Sequence, residues 1–188
     1  GLRITQVMAD FSTVHKTRLK PLKPIETYSG KMLQASDYAE VPIHTEDHAN
    51  VLLRFDNGNK GSVTVSQVAA GRKNRLNIEI SGSLASYEWC SERLNELWIG
   101  KRETANGHLM KDPSLFTPEA AQLISFPGGH NEGFPDTSKQ MFKEVYAAIR
   151  AGAPPAQPPY PTFADGLREL IICERIVESH RKQAWVTV

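Results

Sequence analysis

The residues best suited to chemistry cluster in Phe126-Pro127-Gly128-Gly129-His130-Asn131-Glu132-Gly133-Phe134-Pro135-Asp136. Three glycines and two prolines in eleven residues dictate a shaped loop. An imidazole beside carboxylates can bind or protonate a carbinol oxygen. The stretch runs into a helical pattern, and the free N–H groups of a helix start favour anionic or hydroxyl-rich ligands. His130 and Glu132 are therefore candidate substrate contacts. The plainer alternative is that they tie the loop to a sheet. A second cluster, Gln67-Val68-Ala69-Ala70-Gly71-Arg72-Lys73-Asn74-Arg75, brings amide and guanidinium groups to a corner between two strand patterns. Gln67, Arg72 and Asn74 could hydrogen-bond a polyol or a phosphate there, or belong to an ordinary solvated turn.

Several other chemistries lack their motifs. Gly-x-Gly-x-x-Gly, Gly-x-x-x-x-Gly-Lys-Ser/Thr and Gly-x-Ser-x-Gly do not occur, so no dinucleotide fingerprint, phosphate loop or nucleophile elbow is present. His130-Asn131-Glu132 matches half of a zinc deaminase signature, but the Pro-Cys-x-x-Cys half is missing. A hydrolytic metal site using His130, Glu132 and Asp136 has a spacing that fits no common ligand pattern. His44 and His48, flanking Glu46 and Asp47, read as a solvated loop.

Lys and Arg total 22 against 21 Asp and Glu, a net charge of +1 that gives no case for nucleic acid or a membrane surface. The basic run His15–Lys20, continued by Lys23, reads as a solvated edge. No apolar stretch approaches the roughly 20 residues that span a bilayer. Two distant cysteines, Cys90 and Cys173, predict reduced thiols and a cytoplasmic setting, with Cys173 a small core residue in a helix.

The elements that must position these residues follow from periodicity. Alternation predicts strands over 4–14, 49–55 and 61–68, with Asn57-Gly58 a hairpin turn of the type that needs positive φ at both positions. Further strands are expected over 76–80, 85–89 and 94–99, near Leu109-Met110, and at 184–188. Residues 20–43, with Pro21, Pro24 and Pro42, predict a long irregular connection. Phe142, Val145, Tyr146 and Ile149 mark one face of a helix over 136–150, capped by Asp136 and stopped by Gly152. A second helix starts at Thr162-x-x-Asp165 and buries Leu167, Leu170, Ile171, Ile176 and Val177. The fold class is α+β: a large, antiparallel-rich mixed sheet with two late helices on one face, and its other face available for subunit contact.

In their order and spacing, several blocks resemble the C-terminal domain of the glucose–fructose oxidoreductase / inositol dehydrogenase / MocA (Gfo/Idh/MocA) family. They are Val7–Arg18, Leu53–Gly58, Ser66–Asn74, Glu79–Ser83, Trp89–Gly100, Pro127–Gly133 and Tyr160–Gly166. The resemblance implies that residues 1–188 form a single substrate-binding and oligomerisation domain, truncated from an N-terminal Rossmann domain that binds NAD or NADP. It implies hydride transfer to or from a sugar, inositol or related polyol, in a dimer or tetramer. The family's Glu-Lys-Pro and Asp-x-x-x-His motifs are expected upstream of Gly1. Lys20-Pro21 and Lys23-Pro24 lack the glutamate. No catalytic residue and no cofactor contact is therefore assigned within this chain, and the isolated chain is expected to be inactive. The alternative is a non-catalytic ligand-binding or dimerisation module.

Overall fold

The computed structural model describes residues 2–25 and 34–188. They gather into two compact units, one comprising the chain through Ala70 with Phe163–Val188, the other Gly71–Thr162.

The first unit is built on a four-stranded antiparallel sheet. Its strands are β1 (Ile4–Ser12), β4 (His48–Phe55), β5 (Lys60–Ser66) and β10 (Val186–Thr187), in the order β10-β1-β4-β5. Side chains alternate across a strand, so the register Val7↔Leu53 and Ala9↔Val51 stacks four apolar side chains on one face. With Val186 they form the buried core, against which Ile176 of the last helix, α3 (Phe163–Lys182), is packed. The opposite face carries Gln6, Asn50, Arg54 and Thr64. There Arg54 Nη1 donates to Gln6 Oε1 at 2.8 Å and its guanidinium lies 4.0 Å from the Trp185 ring centroid.

Both ends of the expected irregular connection, Lys20–Pro21 and Tyr38–Pro42, lie in strands. β2 (Thr17–Pro21) and β3 (Tyr38–Pro42) pair as a separate two-stranded sheet, with Pro21 and Pro42 at strand ends where a missing N–H costs no interior ladder bond. The part of the expected irregular connection over residues 26–33 lies outside the described residues.

The Asn57-Gly58 hairpin forms, with a different turn. Only Gly58 has positive φ, +84°, while Asn57 Oδ1 accepts the Asn59 N–H at 3.1 Å. Residues 56–59 thus form a longer loop, in which the asparagine side chain closes the bend and a single left-handed glycine suffices.

The second unit holds β6 (Asn77–Ser81), β7 (Ala85–Cys90), β8 (Glu96–Lys101) and β9 (Gly107–Met110) as an antiparallel sheet in sequence order. A four-residue helix, α1 (Pro118–Ala121), and the long α2 (Phe134–Ala151) follow. The α+β class with two long late helices is as expected, but the strands are divided over three sheets, all antiparallel, and α2 and α3 lie in different units. The division falls at Gln67–Leu76, where Gly71 adopts φ +81° and no strand forms, so the hydrogen-bond ladder stops.

Of the side chains expected to be buried in α3, Ile176 packs on the core, but much of both predicted apolar stripes is exposed. Phe142, Tyr146, Leu167 and Leu170 are 53–66% exposed, whereas Ser179 is fully buried. Cys173 is exposed rather than a core residue, and Cys90 is the buried thiol. An apolar stripe tells which side of a helix avoids water, not which element covers it. Asp136 is not the N-cap of α2. It stands three residues inside, where Oδ2 accepts the N–H of the capping Gly133 at 2.9 Å. Gly152, at φ +79°, ends the helix as expected.

Candidate functional site

The second unit carries an open pocket of about 450 Å3. Trp89, Leu94 and Met141 give it apolar walls, and Lys111, Glu132 and Gln140 bring polar atoms to it. Lys111 continues the face of β9 that carries Gly107 and Leu109, and its backbone N–H donates to Asn95 O at 2.8 Å. Its side chain is 11% exposed and that of Glu132 15%. Nζ of Lys111 donates to Glu132 Oε1 at 2.6 Å, to His130 O at 2.7 Å and to Phe126 O at 3.2 Å.

Glu132 holds the other side of the loop. Its carboxylate accepts the backbone N–H groups of Ser125 at 3.2 Å and Phe126 at 3.1 Å. Asn95 brackets its main chain, donating to Glu132 O at 3.3 Å and accepting Glu132 N–H at 3.1 Å. Burial raises the pKa of this carboxyl. The Lys111 hydrogen bond, the two N–H groups and the Lys111 charge outweigh it and hold the pKa below the ordinary glutamate value. Glu132 is therefore an anion whose lone pairs serve the loop. It fits the structural alternative raised for it.

The other candidates are spread more widely. His130 is exposed at the tip of the same loop, its Nδ1 3.4 Å from Gly128 O, beside Gly129 at φ +80°. It does not line the pocket. Arg72 pairs with Glu92, and the carbonyl of Asn74 accepts from Ser91 Oγ at 3.3 Å, so both are tied to the short turn Ser91–Arg93. Arg72, Asn74, His130 and Glu132 share no hydrogen bond or ion pair with one another among the described residues. Gln67 is exposed in the first unit, its N–H donating to Asp47 O at 2.8 Å.

Sequence reasoning overlooked Lys111, Asn95 and Gln140. One signal for Lys111 was available: a lone lysine extending the Gly107, Leu109 side of a strand must find anionic or carbonyl partners. Asp47 was also misread. It is 4% exposed rather than solvated, and its carboxylate accepts the N–H groups of Val14 at 2.7 Å and His15 at 2.9 Å.

Among the described residues no group of three His, Cys, Asp or Glu side chains is placed to hold a metal ion. Among the described residues no helix is long and apolar enough to cross a membrane. The described strands pair only antiparallel, so the parallel strand–helix–strand unit that cradles a dinucleotide is not formed by them.

Residues 11–188 match the family described as "Oxidoreductase family, C-terminal alpha/beta domain", of the Gfo/Idh/MocA group. The chain belongs to this family. Among Gfo/Idh/MocA relatives, levoglucosan dehydrogenase of Pseudarthrobacter phenanthrenivorans is 29% identical over 150 residues, 78% of this chain and 37% of that protein. A solved levoglucosan dehydrogenase in complex with NADH and levoglucosan is 26% identical, with a TM-score of 0.77 over 99% of this chain and 45% of that one. An oxidoreductase domain protein from Kribbella flavida is 27% identical, with a TM-score of 0.77 over 100% and 46%. The chain thus spans less than half the length of the Gfo/Idh/MocA proteins it matches.

Proposed function

We propose that these 188 residues serve as the substrate-side domain of an oxidoreductase that uses NAD or NADP on a sugar, inositol or related polyol. One observation carries this reading. A levoglucosan dehydrogenase solved with NADH and levoglucosan matches 99% of this chain, while this chain covers only 45% of that enzyme. The nicotinamide would accept or return the hydride in such chemistry, and the protein binds and orients the substrate. A separate Rossmann domain holds the dinucleotide, because the antiparallel sheets here offer no cradle for it.

Within this chain, His130 is the group best placed to meet a hydroxyl-bearing substrate. Its ring is exposed on a loop whose backbone is fixed by buried ions. Arg72 and Asn74 of the second unit and, separately, Gln67 of the first are further polyol contacts. Glu132 contributes through the loop it shapes. A second copy of the chain packs on the helix-free face of the first sheet, where Leu52 is 51% exposed among polar neighbours.

Calorimetric titration with NADH and NADPH tests the division of labour. No binding at micromolar strength is expected of the 188-residue chain, and micromolar binding overturns it. NMR titration with levoglucosan and myo-inositol tests the contacts. Shifts confined to Gln67, Arg72, Asn74 and His130 are expected, and silence at all four leaves a dimerisation module as the better description.

A further inference from the structure

The geometry points to Lys111 as the positioning residue for His130: its buried ammonium is the centre around which loop 125–132 is wound. An ammonium carries three protons and accepts nothing. Here three oxygens take them: the Glu132 carboxylate at 2.6 Å, the His130 carbonyl at 2.7 Å and the Phe126 carbonyl at 3.2 Å. Phe126 and Glu132, near the two ends of the loop, are thus held from one point, and His130 is held by its own main chain.

The main chain of Lys111 is fixed by a residue outside the loop. Lys111 N–H is bonded to Asn95 O, and the Asn95 side chain grips the Glu132 backbone through two hydrogen bonds. Strand position, cation and loop therefore form one connected frame. Every proton of the ammonium is taken up inside the frame, and the carboxylate also accepts the Ser125 and Phe126 N–H groups. Lys111 is accordingly neither a proton donor to substrate nor an anion site. Its effect reaches the substrate only through the place it gives the His130 ring. A compact ammonium suits this task, because it can converge on three oxygens where a planar guanidinium fork cannot.

The importance of this frame to polyol binding rests on the reading of His130 given under Proposed function. The frame itself does not. The experiment separates the two by comparing the wild-type 188-residue chain with Lys111→Arg and with the double variant Lys111→Met, Glu132→Leu. Removing both charges avoids leaving one buried and unpaired, the change most apt to unfold the unit.

The first readout needs no ligand. In the double variant, amide exchange at Ser125 and Phe126 is expected to accelerate by about tenfold or more. The His130 ring carbon–proton signal should move toward that of a free histidine, while β6–β9 amides keep their protection. The second readout is the response to levoglucosan and myo-inositol. Affinity at His130 is expected to fall about tenfold in both variants, with Lys111→Arg retaining the wild-type melting temperature more closely. Unchanged exchange and an unchanged His130 signal in the double variant overturn the positioning role, whatever the ligand does. Polyol binding by wild type that both variants retain in full overturns it as well. Absence of polyol binding in wild type, with the loop signals moving as stated, upholds the frame and refutes the substrate reading alone.

Discussion

His180 Nδ1 accepts the backbone N–H of Phe11 at 3.1 Å, and the two rings stack with centroids 4.6 Å apart. One residue earlier, Ser179 Oγ accepts the N–H of Ala9 at 3.0 Å and donates to Ala184 O at 2.6 Å. β10 pairs with β1 only at Gln6 and Val7. Beyond that point two consecutive side chains of α3 take over donors that a longer strand would have satisfied. The helix thereby substitutes for a strand along the edge of β1.

Removing that substitution is expected to be costly. Ser179→Ala leaves a buried N–H without an acceptor and should lower stability by about 1–3 kcal/mol. His180→Phe keeps the stacked ring and loses only the acceptor, for about 1 kcal/mol. Urea unfolding midpoints check both. A His180→Phe protein as stable as wild type would show that stacking, not the hydrogen bond, holds this end of α3.

Acid should loosen the first unit through Asp47. Its carboxyl titrates below the ordinary aspartate value because of the Val14 and His15 N–H groups, against the opposing effect of burial, with the charges of His15 and Arg18 assisting. A depressed folded value means the stabilisation is whole above the unfolded-chain value of 3.8 and is lost as pH falls through the lower folded value. Asp47→Asn should therefore be less stable than wild type at neutral pH, with the gap closing in acid. Paired unfolding curves at pH 7 and about pH 2 measure this. An undiminished gap in acid refutes the assignment.

Gly100 is required by its neighbour in β8. A Cβ built there would run into the Trp98 indole, which lies over the glycine on the same face of the strand. Gly100→Ala is expected to displace the indole, to shift tryptophan emission and to cost about 1–3 kcal/mol. An unaltered emission spectrum would mean that the indole has another place to go.

The core of the first unit should respond as a packed interior. Leu53 belongs to the cluster with Val7, Val51 and Val186. Leu53→Ala should destabilise by about 2–4 kcal/mol. Leu52→Ala, on the exposed face, should change the isolated chain by less than about 0.5 kcal/mol. A larger effect of Leu52→Ala that grows with protein concentration would locate the contact between copies on that face.

Much of this architecture was written in local pattern. Period-two alternation located β1, β4 and β5 to within a few residues, and Asn57-Gly58 marked their hairpin. Gly152 and the Phe142-to-Ile149 stripe located the end and body of α2, since local backbone preference decides these features. The order of the family's blocks was equally legible, and residues 11–188 match that family. What sequence could not supply was partnership. Lys111, Glu132 and Asn95 are separated by up to 37 positions, and nothing local announces that one cation will gather two carbonyls and a carboxylate. Asp47 looked solvated because it is polar, yet it is buried where the N–H groups of Val14 and His15 meet its carboxylate. The division into separate sheets, the exposed faces of α2 and α3 and the frame beneath His130 were settled by tertiary contact. A residue's type fixes which bonds it can make, but only the fold brings the other atom within reach.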